Sequence, residues 1–174
     1  NYREGDNNNL GFRLMQNDNI LSDGLILIGI LNQNNLLLQN ALANNIPVVV
    51  TSRNWPNLPV STVSQDHWQA TEIALEHLIL LGHKKIAFLG RDVDRNYDWF
   101  QTRLDCYRRA MEKLGQSVSE DLIITGVSGA EAAKTLMQRR PDVTAIFAIH
   151  DENAVSAMQG LIELDLKIPR DISI

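Results

Sequence analysis

Four short segments carry most of the groups able to do chemistry: Arg53 to Trp55, RDVDRNYDWF over 91–100, Gly126 to Ser128, and His150 to Glu152. Each follows an apolar run, and together they offer guanidinium, aromatic, hydroxyl, imidazole and carboxylate groups. That mixture suits a polyhydroxylated ligand, because hydroxyls need paired donors and acceptors and a ring's apolar faces stack on Trp, Phe or Tyr. Bond-breaking chemistry has less support. There is no Walker phosphate loop, no G-x-G-x-x-G after a strand and no G-x-S-x-G. Cys106 is the single cysteine, and His67, His77, His83 and His150 are scattered, which does not make a metal site. Asp151 and Glu152 are adjacent, so on a helix they would point in different directions. The expectation is a binding protein with no catalytic residues, metal or cofactor.

One cluster invites a different reading. LGHKKIAFLG, Leu81 to Gly90, sets a histidine and two lysines beside a glycine, as a phosphate site would. In open α/β sheets, however, ligands sit at the carboxyl ends of strands, where helix N-termini present free N–H groups. Gly82 to Lys85 fall at the opposite edge, between a helix and a strand. There Gly82 can take a positive φ, and the basic groups suit the negative end of the helix dipole. The stretch is expected to be a joint.

The elements around these segments alternate. GLILIGI (Gly24 to Ile30) reads as a buried strand, and LLLQNALANN as a helix with a left-handed stop at Asn44–Asn45. VVVTS follows as a strand, and RNWPNLPVSTVSQ, with Pro56 and Pro59, as a connecting loop. The helical period returns from Asp66, with Ile73, Ala74, His77, Leu78 and Leu81 expected on the buried stripe. Then come the strand KIAFLG, a helix over Arg103 to Leu114, the strand LIITG, and a helix over Ala130 to Arg139. AIFAIH, a helix from Glu152 to Leu164 and DISI close the chain. Such alternation means βαβ units and open parallel sheets. Two strands precede the loop at Arg53 to Ser64 and four follow it. This divides the chain into an incomplete first α/β lobe, 1–60, and a second lobe, 61–174, truncated at its end. The segments after Ile28, Thr51, Leu89, Thr125 and Ile149 should then meet at one rim.

The 174 residues carry a net charge of −5, from 16 Lys and Arg against 21 Asp and Glu. An acidic chain is a poor holder of a phosphate backbone, which needs clustered cations. Apolar residues make up 44%, ordinary for a globular protein, and no stretch is long enough to span a bilayer. The polar start NYREGDNNNL and the end IPRDISI both read as cut, so the chain is expected to be part of a longer protein. A single cysteine fits a reducing, cytoplasmic setting.

Coordinated motifs add a resemblance. ATEIALEHLILLGHKKIAFLG, TRLDCYRRAMEKLG and AIHDENAVSAMQGLIELDLKIPRDISI, with DGLILIG and IPVVVTSR before them, resemble the effector-binding domain of the LacI/GalR family of bacterial transcriptional repressors. The helix–Leu–Gly–His–basic–strand joint, Arg-x-x-x-Tyr, Asp-Glu-x-Ala and Ile-Pro-x-Asp-Ile-Ser match in order and spacing from about Asp23 onward. Within the family, the regulators of maltose-related genes are nearest. The resemblance implies two Rossmann-like lobes of the periplasmic-binding-protein type, with a sugar or sugar phosphate bound between them. It further implies operator DNA contacted only through a helix-turn-helix absent from this chain. A homodimer through Ala154, Ala157, Met158 and Leu161 is implied as well.

The resemblance also assigns residues. Arg103 matches the family arginine that holds effector hydroxyls, and its planar fork can donate to two oxygens at once. His150 stands where the family commonly has an effector-contacting Asn, a departure that keeps one donor and one acceptor but changes reach. Asp151 opens a helix and Asp66 matches an aspartate near the cleft; each also reads as an N-cap. Trp99 and Phe100 are the stacking candidates, ahead of Trp55, while Val127 replaces an aromatic common in sugar-binding members. Two rivals share this fold class: an exported, monomeric sugar carrier and an α/β enzyme using Arg103, Asp66 and His150.

Overall fold

The computed structural model describes residues 22–29, 33–51, 55–91 and 98–174. They form two compact units, Asn1–Gln65 and Asp66–Ile174. Arg53 and the stretch 92–97 lie outside the described residues.

The first unit holds a parallel sheet of β1 (Leu25–Leu27), β2 (Val48–Thr51) and β3 (Ser61–Val63), in that order. Leu25 pairs with Val48, and Val49 with Ser61. Helix α1 (Leu36–Ala43) lies on one face, where Leu38 and Ala41 meet Leu27, Val48, Val50 and Trp55. Asn35 caps α1 by accepting from the amides of Leu37 and Leu38, and Asn45 leaves the helix at φ 55°. The left-handed stop at that asparagine follows the expectation. Ser61–Val63 departs from it. This segment was expected to be part of the connecting loop that carries Pro56 and Pro59, and all three of its residues are exposed. Pairing with β2 makes it a strand, so 61–65 belong with the first unit rather than with the second.

The second unit is built on β4 (Ile86–Leu89), β5 (Ile123–Ile124) and β6 (Ala145–Ala148), all parallel in the order β5-β4-β6. A single parallel bridge joins Ala145 to Ser173 beside β6, where the strand DISI was expected. β4 is central and every residue in it is buried. Its side chains alternate between two cores, as a strand covered on both faces requires. Ile86 and Phe88 pack with α2 (His67–Leu80) and α3 (Asp98–Lys113) through Leu75, Leu104, Tyr107 and Met111. Ala87 and Leu89 pack with α4 (Gly129–Arg139) and α5 (Asp151–Glu163) through Ala132, Leu136, Ala157 and Leu161. The Tyr107 hydroxyl, buried between layers, donates to the Ile86 carbonyl at 2.7 Å, and burial raises its pKa.

Three readings change here. The buried stripe of α2 centres on Thr71 and Leu75, while Ile73 and Leu81 are exposed. HWQATEIALEHLIL carries apolar residues on several sides, so periodicity alone fits more than one face. Helix α3 begins at Asp98 rather than Arg103, and so takes in Trp99 and Phe100, which had been assigned to a loop. On α5, Ala157 and Leu161 are fully buried in the core. They cannot form the proposed dimer surface; Val155, Met158 and Ile162 are the apolar residues that α5 exposes.

Helices α4 and α5 approach closely because each supplies a glycine. A Cβ on Gly160 would stand 2.4 Å from the Ala130 carbonyl oxygen, and one on Gly129 would stand 2.4 Å from that of Asn153. Neither obstacle is a flexible side-chain end, so backbone must move. Gly160→Ala should cost at least about 1 kcal/mol despite the better helix propensity of alanine. Urea unfolding checks this, and a stabilised variant would show that the helices are less tightly docked.

The joint at Leu81 to Lys85 is resolved as structure. Gly82 takes φ 94°, and the amides of Gly82 and His83 close onto the Ile79 and Leu78 carbonyls. The His83 Nδ1 meets the Thr144 hydroxyl at 2.9 Å and Lys85 pairs with Asp142. Both basic groups are engaged at the amino end of the sheet.

Candidate functional site

At the carboxyl ends of β4 and β6, three elements of the second unit bring polar groups together. The first is the start of α2. Asp66 caps it, its carboxylate accepting from the Gln69 amide at 2.9 Å, and His67 follows as the first helical residue. The second is the start of α3, with Trp99 and Arg103 one turn apart. The third is the joint of β6 and α5, at Ile149 to Asp151.

Arg103 ties the three together. Its Nε donates to the His67 Nδ1 at 3.4 Å, and its Nη1 donates to the Ile149 carbonyl. The guanidinium carbon lies 5.3 Å from the centre of the Trp99 ring, a cation–π distance. The Trp99 ring in turn lies 6.1 Å from that of His150. Burial lowers the Arg103 pKa, and the Asp151 carboxylate acts in the opposite direction. An arginine stays charged through any such shift. Glu72, on the neighbouring helix α2, pairs with Lys113.

The predicted site residues therefore divide. Arg103, Trp99 and His150 share one cluster, which reaches Asp66 through its neighbour His67. Asp151 lies at the edge as an exposed helix residue, and it does not cap α5. The cap is His150, whose Nδ1 accepts from the Asn153 amide at 3.4 Å. The β-to-helix transition falls one residue earlier than an aspartate cap would require, and an accepting ring nitrogen fills the role of the usual oxygen. Phe100 leaves the site. It is 1% exposed and meets Phe88 edge to face at 6.1 Å, so it belongs to the core. Trp55 is likewise core in the first unit. Val127 is exposed after β5.

Sequence reasoning missed His67, which looked like one of four scattered histidines. Its position directly after a capping aspartate was the available signal. Burial, then the nearby Arg103 charge, lowers its pKa, against the opposing effect of Asp66. Asn153 was also missed: it is 1% exposed, and its carboxamide meets no hydrogen-bond partner among the described residues. A hollow of about 240 Å³ opens at the β5 side of α3, lined by Phe100, Gln101, Leu104, Arg108, Glu120 and Thr125; Arg103 is not in its wall. Cys106 is a buried helix residue whose pKa burial raises. Among the described residues, no three His, Cys, Asp or Glu side chains gather as metal ligands.

The parallel α/β unit places this chain in a class of domains that the comparisons with known proteins identify. A family model described as periplasmic binding protein-like domain matches residues 75–174. The chain belongs to that family.

The LacI/GalR resemblance holds in sequence and in structure. The transcriptional regulator MalR of Clostridium butyricum is 32% identical, with 92% of this chain and 54% of the relative covered. A sugar-binding LacI-family regulator from Escherichia coli, solved with phosphate, superposes with a TM-score of 0.72 at 25% identity, covering 92% of this chain and 57% of that one. The regulator CelR in complex with cellobiose gives 0.72 at 28% identity, covering 94% and 50%. The chain thus spans about half the length of the relatives it matches. No described helix is long and apolar enough to cross a membrane.

Proposed function

We propose that this chain is the effector-sensing part of a LacI-type transcriptional regulator that works in the cytoplasm. Its effector is a small sugar or sugar phosphate held at the rim of the second unit. Arg103 donates to effector oxygens, Trp99 offers a ring face, and His150, Asp151 and Asp66 complete the polar wall. The observation that carries the reading is the anchored guanidinium of Arg103, braced by a ring, a carbonyl and an imidazole at the ligand-binding edge of the sheet. Such bracing fixes a bidentate donor before the ligand arrives, which saves ordering entropy on binding. The sugar-binding and cellobiose-bound relatives support the ligand class. The effector acts by binding one conformation more tightly than another, and so shifts the population of the DNA-binding state. Operator contact rests with a helix-turn-helix elsewhere in the parent protein, and the domain turns over no substrate.

A thermal-shift screen of the full-length protein against glucose, maltose, cellobiose and glucose 6-phosphate tests this directly. At least one sugar should raise the unfolding midpoint and be recovered unchanged. A sugar consumed on incubation would favour the enzyme reading, and no shift with any sugar or sugar phosphate would remove the effector class.

The proposal includes a homodimer through the outer face of α5. Val155, Met158 and Ile162 follow i, i+3, i+7 spacing, and are 57%, 36% and 63% exposed. Ile162→Arg should shift the full-length protein from dimer toward monomer in sedimentation velocity without changing its thermal midpoint as a monomer. An unchanged dimer would place the interface elsewhere.

A further inference from the structure

We propose that His67 is a positioning residue for Arg103, its neutral imidazole setting the plane in which the guanidinium meets an effector. The inference rests on the effector-site reading for its purpose, though the pairing itself stands on geometry. An arginine side chain on a helix has many rotamers, and a fork that donates to two oxygens works only when its plane is fixed. The Trp99 ring supports that group from one side at 5.3 Å, and the Ile149 carbonyl takes one hydrogen from Nη1. A carbonyl on one nitrogen still allows the fork to pivot. The acceptor that His67 places on Nε, at 3.4 Å, adds a second in-plane anchor on a different nitrogen.

Only one form of the imidazole can do this. The Nδ1 must keep its lone pair, so the ring is neutral with its proton on Nε2. Protonation would convert the acceptor into a donor and set a second cation against the guanidinium. Among the described residues, the charged groups acting on the pair include Asp66 at the cap of α2, Arg103 from α3 and, acting on Arg103, Asp151 from α5. The Trp99 ring neighbours both Arg103, at 5.3 Å, and His150, at 6.1 Å. Burial and the Arg103 charge together hold the His67 pKa below the ordinary histidine value. At neutral pH the anchor is therefore in place, and it is lost as pH falls through that lowered value.

The test uses the full-length protein labelled with ¹⁵N and ¹³C, without ligand, through a pH titration by NMR. The Arg103 Nε–H resonance should move with the same midpoint as the His67 ring. His67→Asn keeps an acceptor in a similar place but does not titrate, so the Arg103 signal should become independent of pH. His67→Leu removes the acceptor and should shift or broaden that signal at every pH. For whichever of glucose, maltose, cellobiose or glucose 6-phosphate binds, His67→Leu should weaken affinity roughly 3–10-fold, the range for one lost hydrogen bond, while His67→Asn restores most of it. An Arg103 signal that ignores the His67 titration would overturn the pairing, even if Arg103→Ala weakens sugar binding. Equal affinities in the wild type and both variants would overturn the positioning role. A coupled titration with no loss on Arg103→Ala would leave the pairing intact and reject the effector-site reading.

Discussion

Phe88→Ala should lower the unfolding free energy by about 3–5 kcal/mol, the usual cost of truncating a fully buried phenylalanine. Phe88 lies on the central strand β4 with no exposed surface. Its ring meets Phe100 at 6.1 Å, Tyr107 at 5.4 Å and Phe147 at 6.1 Å, so one truncation opens a cavity lined by three aromatic residues from two helices' side of the sheet. Rings of that size cannot collapse into the space without leaving their own rotamers. A natural domain has only about 5–15 kcal/mol in hand, so the variant should be close to unfolded at 37 °C. Urea titration with an unchanged slope would read the loss as stability; a loss below about 1 kcal/mol would show that this cluster is not the core.

Arg103→Ala should weaken effector binding by about 1.5–3 kcal/mol, the range for charge-assisted hydrogen bonds, or roughly 10–150-fold in Kd. Arg103→Lys keeps the charge but not the planar fork, and a flexible ammonium cannot hold both the Nε and Nη1 anchors. It should retain little of the lost affinity. Calorimetry on the full-length protein decides, and an unchanged Kd for Arg103→Ala would take this residue out of the site.

Much of the fold was legible because it rests on local signals. The continuous apolar runs of β2, β4 and β6, the stop at Asn45 and the turn at Gly82 need no knowledge of partners, and each lies where it was expected. Ser61–Val63 was not legible, since an exposed strand is made by pairing rather than by its own side chains. The face of α2 was undetermined for a related reason: its apolar residues surround the axis, and only packing selects Leu75 over Ile73. Among the candidate site residues, Arg103 came from a matching motif and His150 from a position where the family commonly has Asn, and both lie beside Trp99. Phe100 was misjudged because adjacent aromatic residues look alike in a string. On α3 they point roughly 100° apart, one to the rim and one to the core. His67 needed a contact 36 residues away in sequence, which no local pattern encodes.

The most direct test of the effector site is hydrogen–deuterium exchange on the full-length protein, with and without the sugar that gives the largest thermal shift. Protection is expected at the start of α3, at residues 149–153 and around His67. Protection confined to the outer faces of α4 and α5, with the Arg103 segment unchanged, would contradict it.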